Sequence, residues 1–96
     1  MRQVPVLQDH EILEALERRP DWTLVDGSLQ LERRQVPYPV ICSWVQAIGA
    51  LAISLDHHPE ISFGYDSIRI SLRTHDQQGI TARDLDCADR ILTLLV

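Results

Sequence analysis

The chain has 96 residues, 45% of them hydrophobic and 24% charged, with a net charge of −5. At this size residues 1–96 read as a single domain, one that buries only about two-thirds of its unfolded surface, so self-association would be a ready source of further burial. The acidic balance argues against a nucleic-acid backbone as the main partner. No apolar run approaches the roughly 20 residues of a membrane span, and Met1-Arg2-Gln3-Val4-Pro5 lacks the apolar core of a signal peptide. A cytoplasmic protein without a membrane partner is expected. Cys42 and Cys87 have no neighbour at CxxC spacing and read as buried, reduced thiols inside helices.

In chain order, Asp9 reads as an N-cap, Ile12, Leu13 and Leu16 form a short apolar stripe, and Pro20 is a stop. Trp22 to Val25 and Ser28 to Arg34 flank Asp26-Gly27, a strong two-residue hairpin signal. That turn pairs Val25 with Ser28, Leu24 with Leu29 and Trp22 with Leu31, putting the apolar pairs on one face. Pro37-Tyr38-Pro39 ends the strand, and Pro39 suits the first turn of a helix. Ile41, Trp44, Val45, Ile48, Leu51, Ala52 and Leu55 then recur at helical spacing, despite Gly49 among them. A second hairpin follows, in which Ile61, Phe63 and Tyr65 alternate with polar or small residues, as do Ile68, Ile70 and Leu72. Folding it at Asp66-Ser67 pairs Ile61 with Leu72, Phe63 with Ile70 and Tyr65 with Ile68; extended past Pro59, which donates no ladder bond, it sets His58 opposite His75. Thr81 caps a last helix with Leu85, Ala88, Ile91, Leu92 and Leu95 on its core face. The order is α-β-β-α-β-β-α. It implies an α+β fold: a four-stranded antiparallel sheet with helices packed on one face. The other face, bearing Gln30, Glu32, Arg69 and Arg73, would be open to solvent or ligand.

Three of the four histidines lie between Asp56 and Asp84, in Asp56-His57-His58-Pro59-Glu60 and Thr74-His75-Asp76. Imidazole is the side chain that most readily exchanges a proton near neutral pH. Taken singly, each has an ordinary reading. His10 is a surface residue, His57-His58-Pro59 a turn behind a helix, Asp84 half of a variant capping box with Thr81, and Thr74 and Asp76 turn residues. Three histidines gathered at one sheet edge are less easily explained that way. A zinc site would accept imidazoles with Asp56 or Asp84. It is disfavoured because adjacent side chains such as His57 and His58 diverge and no HxH, HxxxH or HExxH spacing occurs. General acid–base catalysis without metal or cofactor fits better, one group giving a proton and another taking one across a small substrate, with Asp56 and Asp84 as supports that orient an imidazole.

At these residues the chain resembles the pterin-4a-carbinolamine dehydratases: Asp56-His57-His58-Pro59-Glu60, Tyr65 six residues after Pro59, Thr74-His75 and then Asp84 look like that family's signature, with Trp22, the Asp-Gly hairpin and Gly79-Ile80-Thr81 as further counterparts. The resemblance implies dehydration of a 4a-hydroxytetrahydropterin to the quinonoid dihydropterin, in tetrahydrobiopterin recycling for an aromatic amino-acid hydroxylase, by a homodimer or homotetramer. It implies that His57, His58 and His75 are the catalytic acid–base groups, that Pro59, Thr74, Asp76 and Gln77 bind the pterin, and that Asp84 supports them. Two positions depart from the pattern: many members carry Glu where this chain has Ile53 and Trp where it has Ile61. Family relatives also serve as non-catalytic assembly or dimerisation factors, which is the rival expectation; the intact histidine trio favours the enzyme.

Overall fold

In a computed structural model, which describes residues 4–96, the elements are α1 (Asp9–Leu16), β1 (Thr23–Val25), β2 (Ser28–Arg34), α2 (Tyr38–Leu55), β3 (Glu60–Phe63), β4 (Ser67–Leu72) and α3 (Ala82–Leu94). The strands form one antiparallel sheet in the order β1-β2-β4-β3. The architecture is the expected one. Leu29, Leu31, Ile68, Ile70 and Leu72 project from the sheet onto Ile12, Leu16, Ile41, Ile48, Cys87, Ala88 and Ile91 of the helices, all buried in one core. The alternate strand positions carry the polar face, where Glu32 pairs with Arg69 at 3.3 Å.

The first hairpin has the expected register, Leu24 against Leu29 and Val25 against Ser28. Asp26 and Gly27 both take positive φ (49° and 77°), the conformation a two-residue turn needs to match the twist of its strands. Trp22 precedes β1 and is buried in the core.

The second hairpin differs from expectation. Ile61 pairs with Ile70 and Phe63 with Ile68, and Gly64 N–H donates to the Ser67 carbonyl (3.0 Å), so the chain turns at Tyr65-Asp66, one residue early. Ile68, Ile70 and Leu72 are all apolar, so alternation alone does not distinguish the two registers. The slip is of two residues and leaves every side chain on its expected face. Tyr65 becomes an exposed turn residue rather than a strand partner. Continued outward, the observed register sets His58 level with Arg73, not His75.

Other differences are local. The N-cap of α1 is Gln8, whose N–H donates to the Glu11 carboxylate (2.9 Å), and the helix ends at Leu16, ahead of Pro20. Cys42 is exposed on α2; only Cys87 is a buried thiol. The expectation about apolar runs also needs correction. α2 is 18 residues without a charged side chain and, by length and composition alone, is long and apolar enough to cross a bilayer. Here it lies on the sheet, with Ile41, Ile48 and Ala52 buried.

Candidate active site

The C-terminus of α2 sends two neighbouring histidines to different places. Asp56 caps the helix in the left-handed region (φ 50°, ψ 44°), which Asp tolerates better than most residues. His57 N–H returns to the Ala52 carbonyl (3.1 Å). Beyond this bend His57 turns inward and is 7% exposed, whereas the His58 side chain is 65% exposed.

His57 meets the start of α3. Thr81 is the N-cap, and its N–H donates to Asp84 Oδ2 (2.9 Å). The same oxygen accepts from Thr74 Oγ1 (2.8 Å), while Asp84 Oδ1 lies 2.6 Å from His57 Nε2. With both other donors on Oδ2, the proton between Oδ1 and imidazole is written on His57, the more basic partner, and Nδ1 is left as the free ring nitrogen. Because Thr74 donates to Asp84, Thr81 Oγ1 must donate to Thr74 Oγ1 (2.8 Å), and it accepts Arg83 N–H (3.2 Å) in turn. Thr74, Thr81 and Asp84 are all fully buried. A buried polar chain with each member satisfied is rigid, which suits a support.

His75 stands on a loop closed at its base by Thr74 and Gly79, where Thr74 N–H donates to the Gly79 carbonyl (2.8 Å). The N-terminal segment braces this loop. Leu7 N–H donates to the Ile80 carbonyl (2.8 Å), and the Gln77 side-chain amide donates to the Val4 carbonyl. At the crossing Gly79 lies close under Val6: a Cβ there would come within 2.7 Å of Val6 Cγ1 and would push that side chain aside. His75 and Asp76 are left exposed at the tip.

These elements enclose a cavity of about 240 Å³ bordered by Asp56, His57, His58, His75, Asp76 and Arg83. All three expected histidines are therefore together, with Asp56 and Asp76 beside them on the wall. Three expected pterin contacts are not on its wall. Thr74 is buried beneath it holding Asp84, Gln77 is turned to Val4, and Pro59 is half-buried outside the lining. Asp84 has both roles its position suggested, one oxygen on the cap and the other on His57. Arg83 is the bordering residue that sequence reasoning missed; its Nη2 donates to the Asp56 carbonyl (3.0 Å). Its place beside Asp84 in the first turn of α3 was the available signal. Asp56 Oδ1 lies 3.8 Å from His58 Nε2. Ile53 is exposed on α2 and Ile61 packs on the core, so neither borders the cavity. Among the described residues no three His, Cys, Asp or Glu side chains are grouped to hold a metal ion. Cys87, one turn beyond Asp84, is pushed up to about 11 by burial and by the carboxylates of Asp84 and Asp86, and is held as a thiol.

The family model for pterin 4 alpha carbinolamine dehydratase matches residues 5–94 of this chain. The chain belongs to that family. Relatives provisionally named pterin-4-alpha-carbinolamine dehydratases include one from Herpetosiphon aurantiacus, 38% identical over 88 residues (92% of each chain). Another, from Chloroflexus aggregans, is 36% identical over 90 residues, covering 93% of this chain and 96% of that one. Among solved structures, the transcriptional coactivator/pterin dehydratase from Brucella melitensis shares the fold with a TM-score of 0.88 at 24% identity, over 96% of this chain and 100% of that one. A pterin dehydratase-like protein identified as a RuBisCO assembly factor in the alpha-carboxysome has a TM-score of 0.63 at 20% identity, over 77% of this chain and 86% of that one. The same fold thus occurs in proteins described in more than one role.

Proposed function

We propose that this chain dehydrates a 4a-hydroxytetrahydropterin to the quinonoid dihydropterin. The observation that carries the reading is the His57–Asp84 contact of 2.6 Å at the wall of a cavity that also holds His58 and His75. The reaction breaks the C4a–O bond, and the hydroxyl leaves as water once it gains a proton. The N5–H bond is broken at the same time, and its electrons form the C4a=N5 double bond. His57, fixed through Nε2 by a buried carboxylate, is the base. Proton uptake at Nδ1 makes an imidazolium whose charge Asp84 offsets, while the tautomer is already set. The proton donor is one of the two exposed imidazoles, His58 and His75, which water can reprotonate. Asp76 and Arg83 on the cavity wall offer an acceptor and donors to the polar edge of the pterin.

On this reading the chain needs neither metal nor bound cofactor. It regenerates the pterin used by an aromatic amino-acid hydroxylase in the cytoplasm, and it works as a dimer or tetramer that covers the uncharged outer face of α2.

The test is the dehydration rate of freshly generated 4a-hydroxytetrahydropterin with wild-type protein, His57→Ala and His75→Ala. Acceleration by the wild type and a fall of about 10²–10⁴-fold in the His57 variant are expected, the usual worth of a positioned acid or base. A wild-type rate no faster than buffer would sink the reading and favour an assembly or dimerisation factor on the same fold.

A further inference from the structure

Arg73 is a charged group near the histidines to which the dehydration gives no role. It follows the last residue of β4, and the pairing of Gln30 with Ser71 and Glu32 with Arg69 places it on the sheet face turned away from the helices. On that face Arg69 and Arg34 both lean on Glu32, each at 3.3 Å. Arg73 pairs with no carboxylate among the described residues. Its Nε is buried without a hydrogen-bond partner, a state in which native donors are seldom left.

Arg73 borders a second cavity, of about 110 Å³, lined also by Ser28, Glu60, Ser71 and His75. His75 also borders the first cavity, so one residue lines both. The second cavity holds one cation, two hydroxyls and the Glu60 carboxylate. A planar guanidinium matches a carboxylate with two parallel hydrogen bonds, and the serine hydroxyls can donate to the same group.

From this, and resting on the pterin reading of the histidine cavity, we infer that the Arg73 cavity is a subsite for an acidic substituent on the pterin ring. The ring lies against His57 and His75, and a carboxylate carried at C6 passes His75 to reach Arg73. Glu60, on the same wall, opposes the acid, so the guanidinium and the two serine hydroxyls must outweigh its charge to hold the group there. The substrate class is a reduced pterin whose side chain ends in a carboxylate.

The experiment titrates 6-carboxypterin and 6-hydroxymethylpterin, each followed by its own fluorescence, against wild-type protein, Arg73→Gln and Arg73→Lys, with circular dichroism confirming that each variant is folded. Wild type is expected to bind the acid about tenfold more tightly than the alcohol, about the worth of one charge-assisted contact. That preference disappears in Arg73→Gln, persists in part in Arg73→Lys and shrinks as salt is added. Equal binding of the two pterins by wild type overturns the subsite and leaves the pterin reading standing. A preference that survives in Arg73→Gln overturns it as well, by placing the acid elsewhere. Binding of neither pterin removes the pterin reading, and the inference falls with it.

Discussion

The carboxylate of Asp84 is divided between two tasks: Oδ1 lies 2.6 Å from His57 Nε2, and Oδ2 accepts the Thr81 N–H that opens α3, at 2.9 Å. The helix cap and the histidine support are thus one residue. The same buried charge that starts the helix sets which nitrogen of His57 is free.

Asp84→Asn separates the two tasks. An amide that keeps its oxygen toward Thr81 N–H and Thr74 Oγ1 turns its NH₂ toward His57, which must then accept through Nε2 and carry its proton on Nδ1. The cap survives while the base is lost. The expected outcome is a folded protein whose dehydration rate falls by about 10²–10⁴-fold, with the exchanged tautomer visible in the ¹⁵N shifts of His57. A variant that keeps the wild-type rate and the wild-type tautomer would show that Asp84 only caps the helix.

Thr74 tests the support without touching the cavity. Its hydroxyl donates to Asp84 Oδ2 and accepts from Thr81 Oγ1, each at 2.8 Å, with no exposure to solvent. Thr74→Val keeps the shape and strands the Thr81 hydroxyl, so about 1–3 kcal/mol of stability should be lost. For a domain of this size that is a fall in Tm of roughly 4–8 °C per kcal/mol, measured by thermal unfolding. The KM for pterin should change little, because Thr74 is not on the cavity wall. A raised KM with unchanged Tm would return Thr74 to the binding surface that sequence resemblance gave it.

The elements were legible because each depends on local patterning: alternation in the strands, helical spacing in α2 and α3, and an Asp-Gly turn between β1 and β2. The meeting of His57, His58 and His75 followed from the second hairpin as a whole and not from the register that set His58 opposite His75. The register of the second hairpin was not legible, because Ile68, Ile70 and Leu72 present the same apolar face to either partner set, and only the turn at Tyr65-Asp66 separates the two. That slip explains why Arg73 rather than His75 lies level with His58. Inward and outward positions of loop residues were equally hidden. Nothing local distinguishes Thr74, buried under Asp84, from His75, exposed beside it. The division of labour at Asp84 needed the approach of α2 to α3, which sequence spacing does not report.

Cys87 gives a pH dependence with a definite sign. Burial, then the charges of Asp84 and Asp86, raise this thiol from 9.0 to about 11 in the folded chain. As pH climbs past 9.0 the unfolded chain releases the proton and the folded chain keeps it, so the folded state binds more protons and stability falls as pH rises toward 11. The loss should approach about 2 kcal/mol at the upper end. Urea unfolding of wild type and Cys87→Ala at a series of pH values from 8 to 11 isolates the effect, the variant lacking that part of the slope. Parallel curves would place the thiol in an unperturbed setting.

The outer face of α2 bears on assembly. Tyr38, Cys42, Gln46, Ala50 and Ile53 are exposed along a helix with no charged side chain, and Ile53 is 77% exposed. Cys42 and Ile53 are eleven residues apart, three helical turns, and therefore share one stripe. An uncharged stripe of this length is costly to leave in water, and a second copy is the occupant expected from the proposed dimer or tetramer. Sedimentation velocity should show a dimer or larger for wild type and a shift toward monomer for Ile53→Asp. Alkylation of Cys42 by iodoacetamide should slow as wild-type concentration rises and stay fast in the variant. A monomer at all concentrations, with Cys42 equally reactive throughout, would leave the stripe uncovered and remove α2 as the assembly surface.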